Sequence, residues 1–193
     1  MPRSSAPIGI FYCGTSWLRE IKQNLTNFGY KFKVIKLDEI KDSEFKPFSG
    51  IIISGASTLL TQVDIDEYIN LFNFIKKVKV PILGICLGHQ IMGLLYGSEI
   101  KAGKMIDKME QIKIVKENDL FIDIPGLALF REEHSEFISL PEGFMLLAKS
   151  GSCDNEAMKH KNKAIYGVQF HPEMSDDNGK KLFRNFLKMC TSK

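Results

Sequence analysis

Two short apolar runs, Gly50-Ile-Ile-Ile-Ser54 and Val80-Pro-Ile-Leu-Gly-Ile85, limit what this chain can fold into more than any other feature. A strand that is apolar on both faces must be covered on both, which is the habit of a parallel sheet lying between helices. The surrounding pattern agrees. Ile8-Gly-Ile-Phe-Tyr12 and Phe32-Lys-Val-Ile-Lys36 read as further strands. Between them, Ser16 offers an N-cap for a helix over Trp17 to Phe28, with Leu18, Ile21 and Leu25 on one face and Gly29 ending it. Asp64 to Val78 suits a second helix through Ile65, Ile69, Phe72 and Ile75, and a third runs from about Gly88 to Tyr96. Strands alternating with helices imply right-handed βαβ units.

After Gly97 the texture changes to short strands between turn residues: Gln111 to Val115, Phe144 to Ala148 and Ala164 to Phe170. Helical spacing returns at Gly179 to Met189, where Leu182, Phe183, Phe186 and Leu187 form an apolar face. The expected fold is a single α/β domain over residues 8–190. Its mainly parallel central sheet is flanked by helices and carries a small antiparallel addition. Residues 1–7 are expected to be a disordered start.

Composition narrows the function. With 193 residues, 44% apolar and 25% charged, the chain can build a full core without staples. A net charge of +3, spread along the sequence, gives no argument for nucleic acid, and no window approaches the ~20 apolar residues of a membrane span. Cys13, Cys86, Cys153 and Cys190 lie far apart, with no C-x-x-C pair and no zinc-like spacing. The expectations are a reducing, cytoplasmic setting, no metal, no nucleic acid and no membrane.

The chemistry concentrates in Pro81-Ile-Leu-Gly-Ile-Cys-Leu-Gly-His-Gln90, where a buried strand ends in Gly84-x-Cys86-x-Gly88 and a helix begins at once. This is a nucleophile-elbow pattern with Cys in place of Ser. The turn is so tight that side chains two residues either side of the nucleophile would collide. It sets the sulfur at a helix N-terminus, where unpaired N–H groups favour thiolate over thiol. The Leu87 N–H is placed to stabilise an oxyanion. Taken alone, Cys86 also fits a small buried hydrophobe at a strand end. A second segment weighs against that: Tyr166-Gly-Val-Gln-Phe-His-Pro-Glu173 runs a strand into His171, with Glu173 two residues on. A thiol nucleophile needs a base, and the base needs a carboxylate to hold its tautomer. An isolated His-Pro-Glu is more simply a surface pair. Together with the elbow it is far more specific.

Gly84 to Gln90 and Gly167 to Glu173 resemble the two signatures of class I glutamine amidotransferase domains, and the resemblance runs from about Ile8 to the C-terminal helix. It implies a flavodoxin-like fold and a Cys86, His171, Glu173 triad. It also implies hydrolysis of the L-glutamine side-chain amide through a thioester, and delivery of ammonia to a separate synthetase. It places oxyanion donors at the backbone of Ala56 and Leu87, and substrate contacts at Gly55, Gly88, Gln90, His134 and Ser135. The family's Gly-Gly-Pro loop is Ser54-Gly-Ala-Ser57 here, so a Cβ stands where a glycine would.

Within the family the chain is similar to the glutaminase subunits of archaeal-type GMP synthases, notably over Leu140-Pro-Glu-Gly-Phe144 and Glu156-Ala-Met-Lys-His-Lys161, and in His89. Departures are Tyr12-Cys-Gly-Thr-Ser16 at the first strand end and Glu133-His-Ser-Glu136 where a His-x-Asp is usual. The His-Ser order is similar to the chorismate-pathway glutaminases, and Leu18-Arg19 faintly resembles the histidine-pathway glutaminase. No phosphate-binding or pyrophosphatase loop is present, so no cofactor is expected in this chain. ATP and Mg²⁺ fall to a separate ATP-pyrophosphatase synthetase subunit, in a heterodimer or heterotetramer. A diverged paralogue, a γ-glutamyl peptidase and a non-catalytic glutamine-binding relative stay open. His134 and His160 also fit surface histidines or partner contacts, Lys159 to Lys163 a solvated face, and Trp17 core or interface. Cys13, Cys153 and Cys190 read as structural.

Overall fold

The computed structural model describes residues 6–40 and 47–191. The expected disorder of the chain start therefore falls largely on residues 1–5, outside the described ones. Ala6 and Pro7 accept hydrogen bonds from Ser49.

Among the described residues, thirteen main elements follow in chain order: β1 (Ile8–Tyr12), α1 (Leu18–Asn27), β2 (Phe32–Lys36), β3 (Gly50–Ile53), α2 (Ile65–Phe72), β4 (Ile82–Ile85), α3 (Leu87–Leu95), β5 (Ile100–Ile114), β6 (Leu127–Ile138), β7 (Phe144–Lys149), β8 (Ala157–His160), β9 (Ile165–Val168) and α4 (Asp176–Met189). These nine strands form one sheet in the order β2-β1-β3-β4-β9-β8-β7-β5-β6. β2, β1, β3, β4 and β9 pair in parallel, whereas β8, β7, β5 and β6 continue the same sheet antiparallel. The expected α/β sheet with antiparallel strands is therefore a single mixed sheet, and its antiparallel part holds the longest strands.

The apolar runs do what their composition requires. In β3 the residues alternate between two cores: Ile52 packs with Ile10, Leu83, Ile21, Leu25 and the α4 residues Phe183 and Phe186, while Ile51 and Ile53 pack with Phe72, Phe74, Ile91 and Met92. Each of these isoleucines is fully buried, a contribution of ~1.5–3 kcal/mol apiece. Gly29 ends α1 in the left-handed region at φ 72°, as expected of a C′ glycine. Ser16 does not cap α1. Trp17 takes the cap position without a side-chain bond, and its N–H donates to Thr15 Oγ1 at 3.2 Å. Asp64 caps α2 by accepting from the Asp66 and Glu67 N–H groups, but the helix tightens to a 3-10 turn after Phe72 instead of running on to Val78.

β6 and β8 have no counterpart among the expected strands. In β6 the inward residues alternate as Ala128, Phe130, Glu132, His134, Glu136 and Ile138. Half of that row is ionisable, so the period-2 hydropathy signal vanishes although all six side chains are buried.

Candidate active site

The C-terminal ends of β3, β4 and β9 meet at one point, and the loops leaving them carry the chemistry. β4 stops at Ile85 and α3 starts at Leu87, so Cys86 alone makes the turn, at φ 48° and ψ −105°. This is the mirror image of the extended basin, open to glycine and strained for an L-residue. The flanking glycines explain how the turn closes. A Cβ on Gly88 would stand 2.5 Å from the Ile53 carbonyl oxygen, and one on Gly84 would stand 2.6 Å from the Gly88 carbonyl. The Leu87 N–H opens the helix and so has no intrahelical partner.

His171 follows the end of β9, and its N–H donates to the Arg131 carbonyl of β6 at 2.7 Å. Ser175 Oγ donates to the His171 carbonyl at 2.6 Å and accepts from the Arg131 N–H at 2.9 Å, fixing the strand end from both sides. The imidazole Nδ1 lies 3.0 Å from Glu173 Oε1, and the Cys86 side chain lies close enough to the ring to act on its charge. Burial by itself would depress the His171 pKa. The Glu173 carboxylate and the Cys86 sulfur outweigh it and hold the ring well above the ordinary imidazole value. A sulfur, an imidazole and a carboxylate therefore come together, with Pro172 and Glu173 in the short turn beyond the histidine.

Four further contacts lie beyond what the sequence pattern announces. Gln169 Nε2 donates to Cys86 Sγ at 3.5 Å, and its own Oε1 accepts from Gln90 Nε2 at 3.1 Å, which fixes which end of the amide faces the sulfur. The Trp17 ring meets the His171 ring edge to face, with centroids 4.4 Å apart. Arg131 contributes its carbonyl to the His171 N–H, as above. Glu136 accepts three bonds from the turn at Leu60 and Thr61. Gln169 lies inside the His-Pro-Glu segment, where its position is visible in the sequence but its orientation is not.

An open cleft of about 220 Å³ leads to the sulfur, walled by Trp17, Ala56, Cys86, Gln90, Ser135 and His171 among others. It falls below the ~300–1,000 Å³ of pockets for drug-sized ligands, which suits an amino acid. Ala56, Gln90, His134 and Ser135 all border it. Gln90 spends its amide hydrogens inside the protein, on Gln169 Oε1 and on the Glu136 carbonyl at 2.9 Å. Gly55 sits beneath the triad, where a Cβ would come 3.1 Å from His171 Cε1, and Gly88 packs on the Ile53 side of α3. Both serve as close-approach positions under the site rather than as its wall.

His134 is not a surface histidine. Its side chain is 1% exposed, with Nε2 at 3.1 Å from Glu132 Oε2 and Nδ1 at 3.2 Å from the Glu136 carbonyl, and burial lowers its pKa. Glu132 and Glu156 are fully buried behind it. Burial raises both carboxyl pKa values, and the Glu132 charge adds to the rise at Glu156. His89 is fully buried too, and burial drives its pKa down to about 3, leaving it neutral. His160 stacks edge to face on Tyr96 and Phe144, away from the cleft. Cys13, Cys153 and Cys190 are buried free thiols whose pKa values burial pushes up, opposite to what a nucleophile needs. No helix among the described residues is long and apolar enough to cross a membrane.

Known proteins are similar to this chain in sequence and in fold. Residues 10–190 match the family model of class-I glutamine amidotransferases. The chain is 38% identical over 184 residues to a subunit of the glutamine-hydrolysing GMP synthase of Methanocaldococcus jannaschii, covering 92% of this chain and 94% of that one. The corresponding subunit of Pyrococcus furiosus is also 38% identical, with 92% and 95% covered. Among solved structures, a protein of Thermoplasma acidophilum described as a GMP synthase subunit superposes with a TM-score of 0.89 at 28% identity, covering 98% of this chain and 96% of that one. A glutamine amidotransferase of Thermotoga maritima shares the fold, with a TM-score of 0.80 at 17% identity over 98% of this chain and all of that one.

Proposed function

The chain belongs to the class I glutamine amidotransferases, and we propose that it is the glutamine-hydrolysing subunit of a GMP synthase whose ATP-dependent half is a separate polypeptide. The observation that carries this is the Cys86 turn: a strained backbone sets a sulfur beside an imidazole that a buried carboxylate holds protonated.

The chemistry follows from that geometry. The Cys86 thiolate adds to the side-chain amide carbon of L-glutamine. The oxygen that takes up the negative charge is received by the Leu87 and Ala56 N–H groups. His171, charged in the resting pair, gives its proton to the departing nitrogen, so ammonia leaves and a γ-glutamyl thioester remains. Neutral His171 then takes a proton from water, hydroxide adds to the thioester, and glutamate departs as the thiolate reforms. Glu173 holds Nδ1 throughout, so that Nε2 is the exchanging nitrogen. Gln90, His134 and Ser135 border the cleft, and we assign the amino-acid end of the substrate to them.

Three considerations support the synthetase assignment. The relatives in Methanocaldococcus and Pyrococcus are GMP synthase subunits, matched over nearly their whole length. The sequence holds no phosphate-binding loop. Ammonia is also a wasteful end product unless something captures it. ATP, Mg²⁺ and the nucleotide acceptor are accordingly assigned to an ATP-pyrophosphatase partner, in a heterodimer or heterotetramer.

The test is glutamate and ammonia release from glutamine by the purified protein, with and without that synthetase. The Cys86→Ala variant should lose all release. Equal release by the variant would refute the mechanism, and failure of the partner to turn the ammonia into GMP would refute the assignment.

A further inference from the structure

The N–H of Ala56 can serve an oxyanion only if the segment that carries it is held still. That segment, residues 55–59, has no regular structure and no proline, and its residues from Ala56 to Leu59 border the cleft. Its aim is therefore set by its two ends. The near end is the tip of β3, where Ser54 N–H donates to the Phe11 carbonyl at 3.0 Å and Ser54 Oγ accepts from the Cys13 N–H at 2.9 Å.

The far end is held by one side chain from the other half of the sheet. Glu136 is 2% exposed. Its Oε2 accepts from the Leu60 N–H at 2.7 Å, while its Oε1 accepts from the Thr61 N–H at 2.9 Å and the Thr61 hydroxyl at 2.5 Å. Leu60 itself is fully buried.

We infer that Glu136 is a positioning residue for the oxyanion segment, clamping its far end so that the Ala56 N–H faces the reacting carbonyl; this rests on the glutaminase reading above. The chemistry of the contact demands a carboxylate. All three groups it meets are donors, so only a side chain with acceptors at both ends satisfies them, and an amide would turn an NH₂ against an N–H. Bonds to an ionised acceptor are about twice as strong as neutral ones. The backbone carbonyl of the same residue accepts from Gln90 Nε2, so one residue ties the oxyanion segment to the wall of the substrate cleft. A change confined to the side chain leaves that second tie in place.

The experiment compares the wild-type protein with Glu136→Gln and Thr61→Val. Amide hydrogen exchange over residues 55–62 should speed up by about tenfold or more in Glu136→Gln, since a buried donor left unmatched is costly. The kcat for glutamine hydrolysis should fall by ~10–100-fold with KM within about threefold, because one oxyanion donor is worth ~10²–10³ and part of its aim is lost. Alkylation of Cys86 by iodoacetamide forms no oxyanion and should stay within about twofold of wild type.

Thr61→Val removes a single bond and should fall between the two, deciding the matter if Glu136→Gln does not fold. Unchanged exchange over 55–62, or alkylation that falls as far as hydrolysis, would overturn the clamp. A wild-type protein that hydrolyses no glutamine would instead count against the functional reading, while exchange and alkylation still judge the clamp.

Discussion

The backbone at Cys86 makes a measurable prediction about stability. At φ 48° and ψ −105°, any residue with a Cβ is strained, by about 1–3 kcal/mol. Cys86→Ala removes the sulfur but keeps the Cβ, so the strain stays. Cys86→Gly removes both and enters a region that glycine occupies freely, at the expense of ~0.5–1 kcal/mol in backbone entropy. Taking the middle of each range, the Gly variant is more stable than the Ala variant by ~1 kcal/mol. For a chain of this size that is a melting temperature ~2–4 °C higher. Comparing the two variants, rather than either with wild type, cancels the loss of the buried contact with His171. Urea unfolding or calorimetry on both proteins, each inactive toward glutamine, reads the effect. A Gly variant no more stable than the Ala variant would mean that the turn is unstrained, and that the sulfur is not held there by the rest of the fold.

Other outcomes follow from the same site. Glu173→Gln removes the charge that keeps His171 protonated, so the alkaline limb of the kcat/KM profile should move to lower pH; an unmoved limb would contradict the role given to Glu173. Gln169→Leu deletes the amide donor to Cys86 Sγ and should slow iodoacetamide alkylation at neutral pH by roughly three- to tenfold, the worth of one hydrogen bond. For Glu132 and Glu156, whose folded pKa values are raised, stability is fullest below the ordinary carboxyl value of 4.5 and is lost as pH climbs through about 7 and about 9. Glu156→Gln should flatten that decline, read as urea midpoints at pH 5 and pH 9, and a slope equal to wild type would show that the pair does not ionise with pH as described.

Much of the architecture could be read from apolar runs such as Ile51-Ile52-Ile53, because a strand buried on both sides leaves little choice of neighbours. The elbow was legible for a similar reason: Gly84 and Gly88 are demanded by contacts under 3 Å, and steric necessity leaves a mark in sequence. β6 was illegible because its inward row carries Glu132, His134 and Glu136, side chains that hydropathy assigns to the surface. Burying them works only where partners from distant segments meet them, and those separations of up to 76 residues are invisible to any local pattern. Trp17 hid in the same way, since nothing at the start of α1 announces that the ring at its cap will rest on a histidine more than 150 positions later.

β6 gives carbonyls to His171 and Gln90 and a carboxylate to the turn at Leu60, all from a ribbon in which neighbouring side chains point opposite ways. Sliding it along β5 by a single position would exchange its two faces and disconnect every one of those groups in the same stroke. Odd-numbered insertions or deletions in the connection between the two strands should therefore silence the protein outright, whereas changes to the outward row should merely dim it.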